Sequence, residues 1–278
     1  MDDGKNISGA QQKRSCAYCG RTGLTREHLF PRGFFDRTGG TAEYAANIKA
    51  GAADKILSIE PTIADVCGNC NNGVLSQLDS YFLALFDRYF INVVVSGEQI
   101  DLDFNFDELL RWLLKMGYNM GRARQWDGTQ NLAACKEYIR FGEPRPGNIT
   151  VLLQATAPGL IRGQQRTEFP PEVFTVNAMR IPGIIENFAF VLHVGIRCYQ
   201  FYILFNLPEV NGSERHRRVR GFQRIFRGAY EICPSRPVMK IYPSSITLWD
   251  LLNGPLWNAG TAQHVRHYFR QGLHSRQR

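Results

Sequence analysis

The sequence lacks a long uninterrupted apolar run. Its longest apolar stretch, "NFAFVLHVGIRCYQFYILFNL", is broken by His193, Arg197 and Gln200. A helix that crosses a bilayer needs about 20 mostly apolar residues, so we interpret this stretch as strands and expect no membrane partner. The start of the chain, "MDDGKNISGAQQKRS", also lacks the apolar region of a secretion signal. We therefore expect a cytoplasmic protein with a disordered leader over residues 1–14.

Acidic residues are in the minority, with 25 Asp and Glu against 33 Lys and Arg, for a formal net charge of +8. A basic balance favours polyanionic partners, of which nucleic acid is the commonest, although many basic proteins bind nothing acidic. The aromatic share of 12% argues against disorder of the whole chain. A length of 278 residues allows one large domain or two modest ones, with a sizeable core.

Cysteine is scarce, but four of the seven cysteines form two Cys-x-x-Cys pairs. In a reducing compartment such pairs hold a metal more often than they form disulfides. Zinc prefers four tetrahedral ligands, and thiolates are its commonest structural ligands. We therefore predict a structural Zn²⁺ bound by Cys16, Cys19, Cys67 and Cys70. The other three cysteines lack partners at ligand spacing and are expected in the core: Cys135, Cys198 and Cys233.

The order of predicted elements indicates an α+β protein. Residues 15–95 are predicted to form a zinc-braced unit, in which a long loop begins at "GFFDRTGG", "KILSIEPTIADVC" is strand-like, and a helix follows the second cysteine pair. Residues 96–278 are predicted to form a larger α+β domain of unrecognised fold. It begins with the helix "FDELLRWLLKMGYNMGRA", capped by Asp103 or Asn105, and continues into several strands. On the polar face of that helix, Lys115, Asn119 and Arg122 recur at helical spacing.

Between the two cysteine pairs, "TREHLFPRGF" places Glu27 beside His28. A histidine takes a proton from water near neutral pH, and carboxylate and amide oxygens suit a hard divalent cation. Asn71, directly after the second cysteine pair, offers such an amide. Adjacent strand residues point to opposite faces, so Glu27 and His28 need a twist or a strand end to serve one site. Glu27 and His28 are either an ordinary polar pair on a turn or part of the catalytic site of a metal-dependent enzyme.

The segments "CAYCG", "REHLFPRGF" and "VCGNCNNG", in that order, resemble the HNH (His-Me finger) endonucleases, in the subgroup whose ββα-metal unit is braced by two Cys-x-x-Cys knuckles. The resemblance covers about residues 15–80. It implies an endonuclease that hydrolyses phosphodiester bonds in DNA with Mg²⁺ or Mn²⁺. By the same resemblance His28 is the general base, Asn71 is a metal ligand, and Glu27 stands where the family often has a metal-binding aspartate. Thr62 stands near the position of the family's middle Asn. Candidates for a further metal ligand are Asn72, Ser76 and Asp79.

Arginines supply candidate contacts to nucleic acid. Arg26 and Arg32 lie beside the predicted site, and Arg217, Arg218 and Arg220 lie in the basic stretch "ERHRRVRGFQRIFRG". We expect contacts mainly to backbone phosphates, with DNA as the partner and RNA as the open alternative; the basic stretch is otherwise a solvated loop.

Two other interpretations compete with the nuclease. One is a zinc-braced nucleic-acid-binding module without catalysis, which Thr62 favours. The other is an adaptor whose larger domain binds a protein partner. Nucleases of this kind with an unfamiliar second domain are similar to components of bacterial anti-phage defence, which is an inference from resemblance alone.

Overall fold

The computed structural model describes most of the chain, namely residues 15–37, 62–92, 94, 98–157, 174–179, 185–236, 238–242 and 244–247. The expected leader over residues 1–14 lies outside the described residues. So do most of the segment between the two cysteine pairs and the start of the strand predicted within it.

The N-terminal part consists of two antiparallel strands followed by a long helical segment. In chain order its elements are β1 (Leu24–His28), α1 (Arg32–Arg37), β2 (Thr62–Cys67), α2 (Gly68–Cys70), a π-helical turn (Asn71–Leu75), α3 (Ser76–Leu85) and a second π-helical turn (Phe86–Phe90). The expectation of a loop from Gly33 onward is wrong at its start, because α1 occupies residues up to Arg37. Pro31 directly precedes α1, and its fixed φ is compatible with the first turn of a helix.

The helical segment after the second cysteine pair is not a regular α-helix. Gly73 has φ −97° and ψ −114°, outside the helical region, so the chain is kinked there. Beyond the kink, α3 buries Leu78, Phe82 and Leu85. These residues recur at steps of three and four, so they form one apolar face of the helix.

Helix α4 (Phe106–Arg124) is the longest described helix. The side chain of Asn105 accepts hydrogen bonds from the backbone N–H groups of Asp107 and Glu108, so Asn105 is the cap. Two short helices follow, α5 (Thr129–Ala133) and α6 (Lys136–Phe141).

The rest of the described chain is mainly sheet, and the predicted α+β class is confirmed. Its elements are β3 (Ile100–Asp103), β4 (Ile149–Ala157), β5 (Phe174–Ala178), a 3₁₀ turn (Ile185–Asn187), β6 (Phe188–Ile196), β7 (Tyr199–Asn206), α7 (Gly212–Ile225), β8 (Tyr230–Ile232), β9 (Val238–Ile241) and β10 (Ser244–Thr247). The main sheet has the order β10-β4-β7-β6-β5, β8 also pairs with β4, and β3 pairs with β9. Strands β6 and β7 are buried along nearly their whole length, which explains the apolar stretch. Among the described helices, none has the length and apolar character needed to span a bilayer.

One continuous core joins residues on both sides of the predicted boundary at position 95. Phe82 of α3 stacks on Trp112 of α4 with ring centroids 3.6 Å apart. Phe174 of β5 meets Phe30 and Phe34 edge-on, at centroid distances of 4.9 and 5.2 Å. The division into two domains stays a prediction, and the core of the first is completed by side chains assigned to the second.

Candidate functional site

The four predicted zinc ligands converge on one point. The thiol sulfurs of Cys16, Cys19, Cys67 and Cys70 all lie within 4.8 Å of one another, and those of Cys19 and Cys67 are 3.5 Å apart. Tetrahedral zinc with bonds of about 2.3 Å places its sulfurs roughly 3.8 Å apart. The cluster therefore has the ligand type and spacing that Zn²⁺ requires.

The environment of the thiols differs from one to the next. Burial opposes ionisation of Cys16, but hydrogen bonds from the backbone of Cys67, Cys19 and Tyr18 prevail and lower its pKa to about 7. Burial raises the pKa of Cys70 and of Cys19. A bound cation favours the thiolate form, so metal binding here releases protons.

His28 ends β1, and Thr62, which begins β2, is its direct cross-strand partner. His28 is half-buried and Thr62 is exposed. At the other end of the pair Leu24 faces Cys67, about 13 Å from the His28 end at the usual rise of a strand. The thiol cluster and His28 therefore lie at opposite ends of the β1–β2 pair.

Asn71 connects the helical segment back to β1. Its amide nitrogen donates to the hydroxyl oxygen of Thr25 at 3.0 Å and to the backbone carbonyl oxygen of Arg26 at 2.9 Å. Neither bond uses the amide oxygen, which is the side-chain atom suited to a hard cation. Asn71 is thus held two to three residues from His28 along the chain of β1. Of the candidates for a further ligand, Asn72 and Ser76 are exposed.

Glu27 lies in a different environment from the one that the resemblance implied. Its side chain is on the inner face of β1, with the residue 4% exposed. The Oε1 atom lies 2.8 Å from Nζ of Lys115 and accepts a hydrogen bond of 3.4 Å from Asn119. Lys115 also contacts Asp79 at 2.6 Å. Both carboxylates therefore face an ammonium inside the protein.

A catalytic divalent cation needs oxygen ligands near His28. In the part of the chain that the structure describes, the four thiols are the one group of three or more His, Cys, Asp or Glu side chains at metal-binding distance. The amide oxygen of Asn71 is of the type that binds such a cation, whereas one oxygen of each of the Glu27 and Asp79 carboxylates contacts Lys115.

Lys115 itself was not predicted as a site residue. Burial disfavours its charge, yet the carboxylates of Asp79 and Glu27 outweigh burial and raise its pKa. The signal in the sequence was the polar face formed by Lys115, Asn119 and Arg122 on an otherwise apolar helix.

The same polar face reaches β2 and the first cysteine knuckle. Arg122 donates two hydrogen bonds to Asp65 of β2, at 2.9 and 3.2 Å. Asn119 accepts at its amide oxygen from the Tyr18 hydroxyl at 2.7 Å and from Arg122 at 3.1 Å. Helix α4 therefore contacts both strands of the candidate site.

The arginines predicted to contact nucleic acid differ in their exposure and in their contacts within the protein. Arg26 and Arg32 are exposed beside His28. The basic stretch is a helix, α7, rather than a loop. There Arg217 and Arg218 both pair with Glu214, at 2.7 and 2.8 Å, while Arg220 is exposed.

Four side chains outside the site complete the comparison with the sequence. His193 is buried in the sheet, and burial lowers its pKa to about 4. Cys135 and Cys198 are buried as expected. The expectation for Cys233 is wrong: this cysteine is only partly buried, with its sulfur 3.1 Å from the Ser235 hydroxyl.

The structure thus brings His28, Thr62 and Asn71 to the β1–β2 pair, with the thiol cluster beside it. Comparisons of the chain with protein-family models, with curated proteins and with solved structures find no match. The functional conclusion therefore rests on this geometry.

Proposed function

We propose that the protein is a metal-dependent endonuclease of the HNH type, which hydrolyses phosphodiester bonds in DNA with His28 as the general base. The observation that carries the proposal is the β1–β2 pair, with His28 at one end and the thiol cluster at the other. The helical segment that follows returns Asn71 to β1, where its amide nitrogen donates to Thr25 and to the carbonyl oxygen of Arg26, two residues before His28. This is the order of strand, strand and helix that the resemblance implied.

His28 has the position that a general base requires. It is half-buried at a strand end, so water reaches it. The imidazole takes a proton from the attacking water, whose oxygen bonds to phosphorus as the bond to the leaving oxygen breaks. Thr62 lies across from His28, and its hydroxyl steadies the ring in place of the family's asparagine.

A divalent cation, when bound, supplies positive charge that stabilises the leaving oxygen. We assign the Asn71 amide oxygen as its protein ligand, with phosphate oxygens and water as the remaining ligands that Mg²⁺ commonly keeps. Glu27 is left out of this ligand set, because its carboxylate contacts Lys115.

Exposed arginines near His28 support a polyanionic substrate. Arg26 and Arg32 are both exposed, and their charges neutralise phosphates on either side of the cut. Arg220 on α7 adds a second exposed contact.

The test is cleavage of supercoiled plasmid with Mg²⁺ or Mn²⁺ and with EDTA. Wild-type protein should give nicked or linear product that disappears with EDTA. His28→Ala should lose about 10²–10⁴-fold in rate while keeping its zinc content and fold. Lys240→Ala is the control, because Lys240 is exposed on β9, outside both proposed contact regions, and it should cleave normally.

Equal cleavage by wild type and His28→Ala would reject the nuclease. Binding without cleavage would favour the second candidate, a zinc-braced nucleic-acid-binding module. The observation that favours this candidate is the engagement of the Glu27 and Asp79 carboxylates by Lys115.

A further inference from the structure

Lys115 has no role in the chemistry proposed above, yet its charge is buried at the candidate site. Its side chain is 1% exposed. Its ammonium lies 2.8 Å from Glu27 on β1 and 2.6 Å from Asp79 on α3, and it donates at 3.4 Å to the backbone carbonyl oxygen of Leu75. One side chain of α4 therefore contacts the strand that carries His28 and the helical segment that begins with Asn71.

Neighbouring groups complete this contact. Asp79 also accepts a hydrogen bond of 3.1 Å from the Trp112 indole, and Glu27 accepts one from Asn119. Arg122 is engaged with Asp65 and Asn119. Lys115 thus supplies the positive charge between two buried or half-buried carboxylates.

We infer that Lys115 is a positioning residue: through Glu27 it fixes the strand that ends in His28, and through Asp79 it fixes the helical segment that carries Asn71. The inference rests on the proposed function for its catalytic consequence. Removing one partner of a buried ion pair leaves uncompensated charge, whereas replacing the whole group with neutral side chains is tolerated far better. Without Lys115, the two carboxylates repel each other, and Glu27 is driven toward water together with β1.

The experiment compares three forms of the full-length, zinc-loaded protein with wild type. Lys115→Met removes the charge and keeps most of the stem. The triple variant Lys115→Met with Glu27→Gln and Asp79→Asn removes the carboxylate charges as well. Lys240→Met is the control, since Lys240 is exposed on β9. Plasmid cleavage over a range of Mn²⁺ concentrations gives kcat, KM and the apparent Mn²⁺ affinity, and hydrogen exchange reports on the amides of residues 24–28.

Lys115→Met should keep its zinc, lose about 10–100-fold in kcat, as is typical when a supporting residue of a site is removed, leave KM unchanged and bind Mn²⁺ no more tightly than wild type. The amides of residues 24–28 should exchange faster than in wild type. The triple variant should regain slow exchange and most of the lost kcat. If Glu27 were a metal ligand, its replacement by Gln in the triple variant would prevent that recovery.

Three results would overturn the inference. One is a Lys115→Met variant that matches Lys240→Met in kcat and in exchange. Another is tighter Mn²⁺ binding in Lys115→Met, which would mean that Lys115 competes with the cation for Glu27. The third is a triple variant that stays as impaired as Lys115→Met.

Failure of the proposed function and misfolding of the variant can each be distinguished from failure of the inference about Lys115. If wild-type protein does not cleave, the proposed function fails, and exchange at residues 24–28 alone decides whether Lys115 holds β1. If Lys115→Met does not fold, Lys115→Arg replaces it. Lower kcat with faster exchange at residues 24–28 then supports the inference, and wild-type values overturn it.

Discussion

Thr62 lies directly across from His28 in the antiparallel pair of β1 and β2. Side chains at directly opposite positions share a face of the pair, with Cβ atoms about 4.5–5.5 Å apart. Thr62→Ala should therefore slow plasmid cleavage roughly fivefold, the equivalent of one neutral hydrogen bond of about 1 kcal/mol. Thr62→Asn, which installs the residue usual at this position in HNH endonucleases, should cleave at least as fast as wild type. A Thr62→Ala variant as slow as His28→Ala would contradict a supporting role.

Asn71→Ala removes the amide oxygen and both hydrogen bonds to β1. We expect cleavage about 10–100-fold slower than wild type, with partial recovery at raised Mn²⁺ because the cation site is weakened. Thr25→Val removes only one acceptor of those hydrogen bonds. It should therefore slow cleavage less than Asn71→Ala does, and raised Mn²⁺ should not restore the rate. Cleavage rates across a Mn²⁺ series measure this, and an Asn71→Ala variant indifferent to Mn²⁺ would refute a ligand role.

The thiol cluster should hold about one Zn²⁺ per chain, measured by elemental analysis. Metal binding and folding are linked in small zinc units, so Cys67→Ser or Cys16→Ser should lose the metal and unfold residues 15–80. Cys233→Ser is the control, because Cys233 lies outside the cluster. Fresh wild-type protein without zinc would disprove this prediction.

His193 should make the fold sensitive to acid. Its pKa is about 4 in the fold, lowered by burial from 6.5. The unfolded chain therefore binds a proton between these values while the folded chain does not. Above pH 6.5, His193 is neutral in both states and does not lower the free energy of unfolding. As the pH drops from 6.5 to 4, protonation of His193 in the unfolded chain lowers the free energy of unfolding by about 3 kcal/mol. His193→Gln removes this contribution.

Urea unfolding of wild type and His193→Gln at pH 7 and pH 4.5 measures that difference. Loss of zinc in acid affects both proteins alike and cancels in the comparison. The prediction fails if the two proteins lose equal stability on acidification.

Binding to DNA should depend on the exposed face of α7. Arg220→Ala with Arg224→Ala removes two exposed cations, which should weaken binding and reduce the slope of log affinity against log salt by about 2. Arg215 instead donates to the carbonyl oxygens of Gly147 and Ile149, at 2.7 Å each. Arg215→Ala should therefore lower stability more than it lowers the salt slope. An unchanged slope in the double variant would exclude α7 from the interface.

Local features of the fold were predictable because short stretches of sequence determine them. The Asn105 cap lies two and three residues from the N–H groups that it accepts, and the spacing of the cysteines within each pair brings their sulfurs together. The six-residue α1 was missed because it is too short to show an apolar period.

The environment of Glu27 was not predictable in the same way. Its partner Asn119 lies 92 residues away in the chain, and Lys115 is on the same distant helix. The sequence around Glu27 does not reveal Lys115 as its partner, and the sequence around Lys115 does not reveal Glu27. Strand alternation did indicate that Glu27 and His28 point to opposite sides, and burial of Glu27 is the result.

The aromatic contacts of α3 limit how the N-terminal part of the chain can be moved into another protein. Phe82 is covered by Trp112, and Phe174 stands edge-on to the same indole at 6.0 Å. A chimera that borrowed residues 15–95 alone would carry the open faces of Phe30, Phe34 and Phe82 into water, and exposed apolar patches of that kind promote aggregation. A workable graft has to include α4 and β5, so any recombination breakpoint compatible with folding lies beyond Phe174.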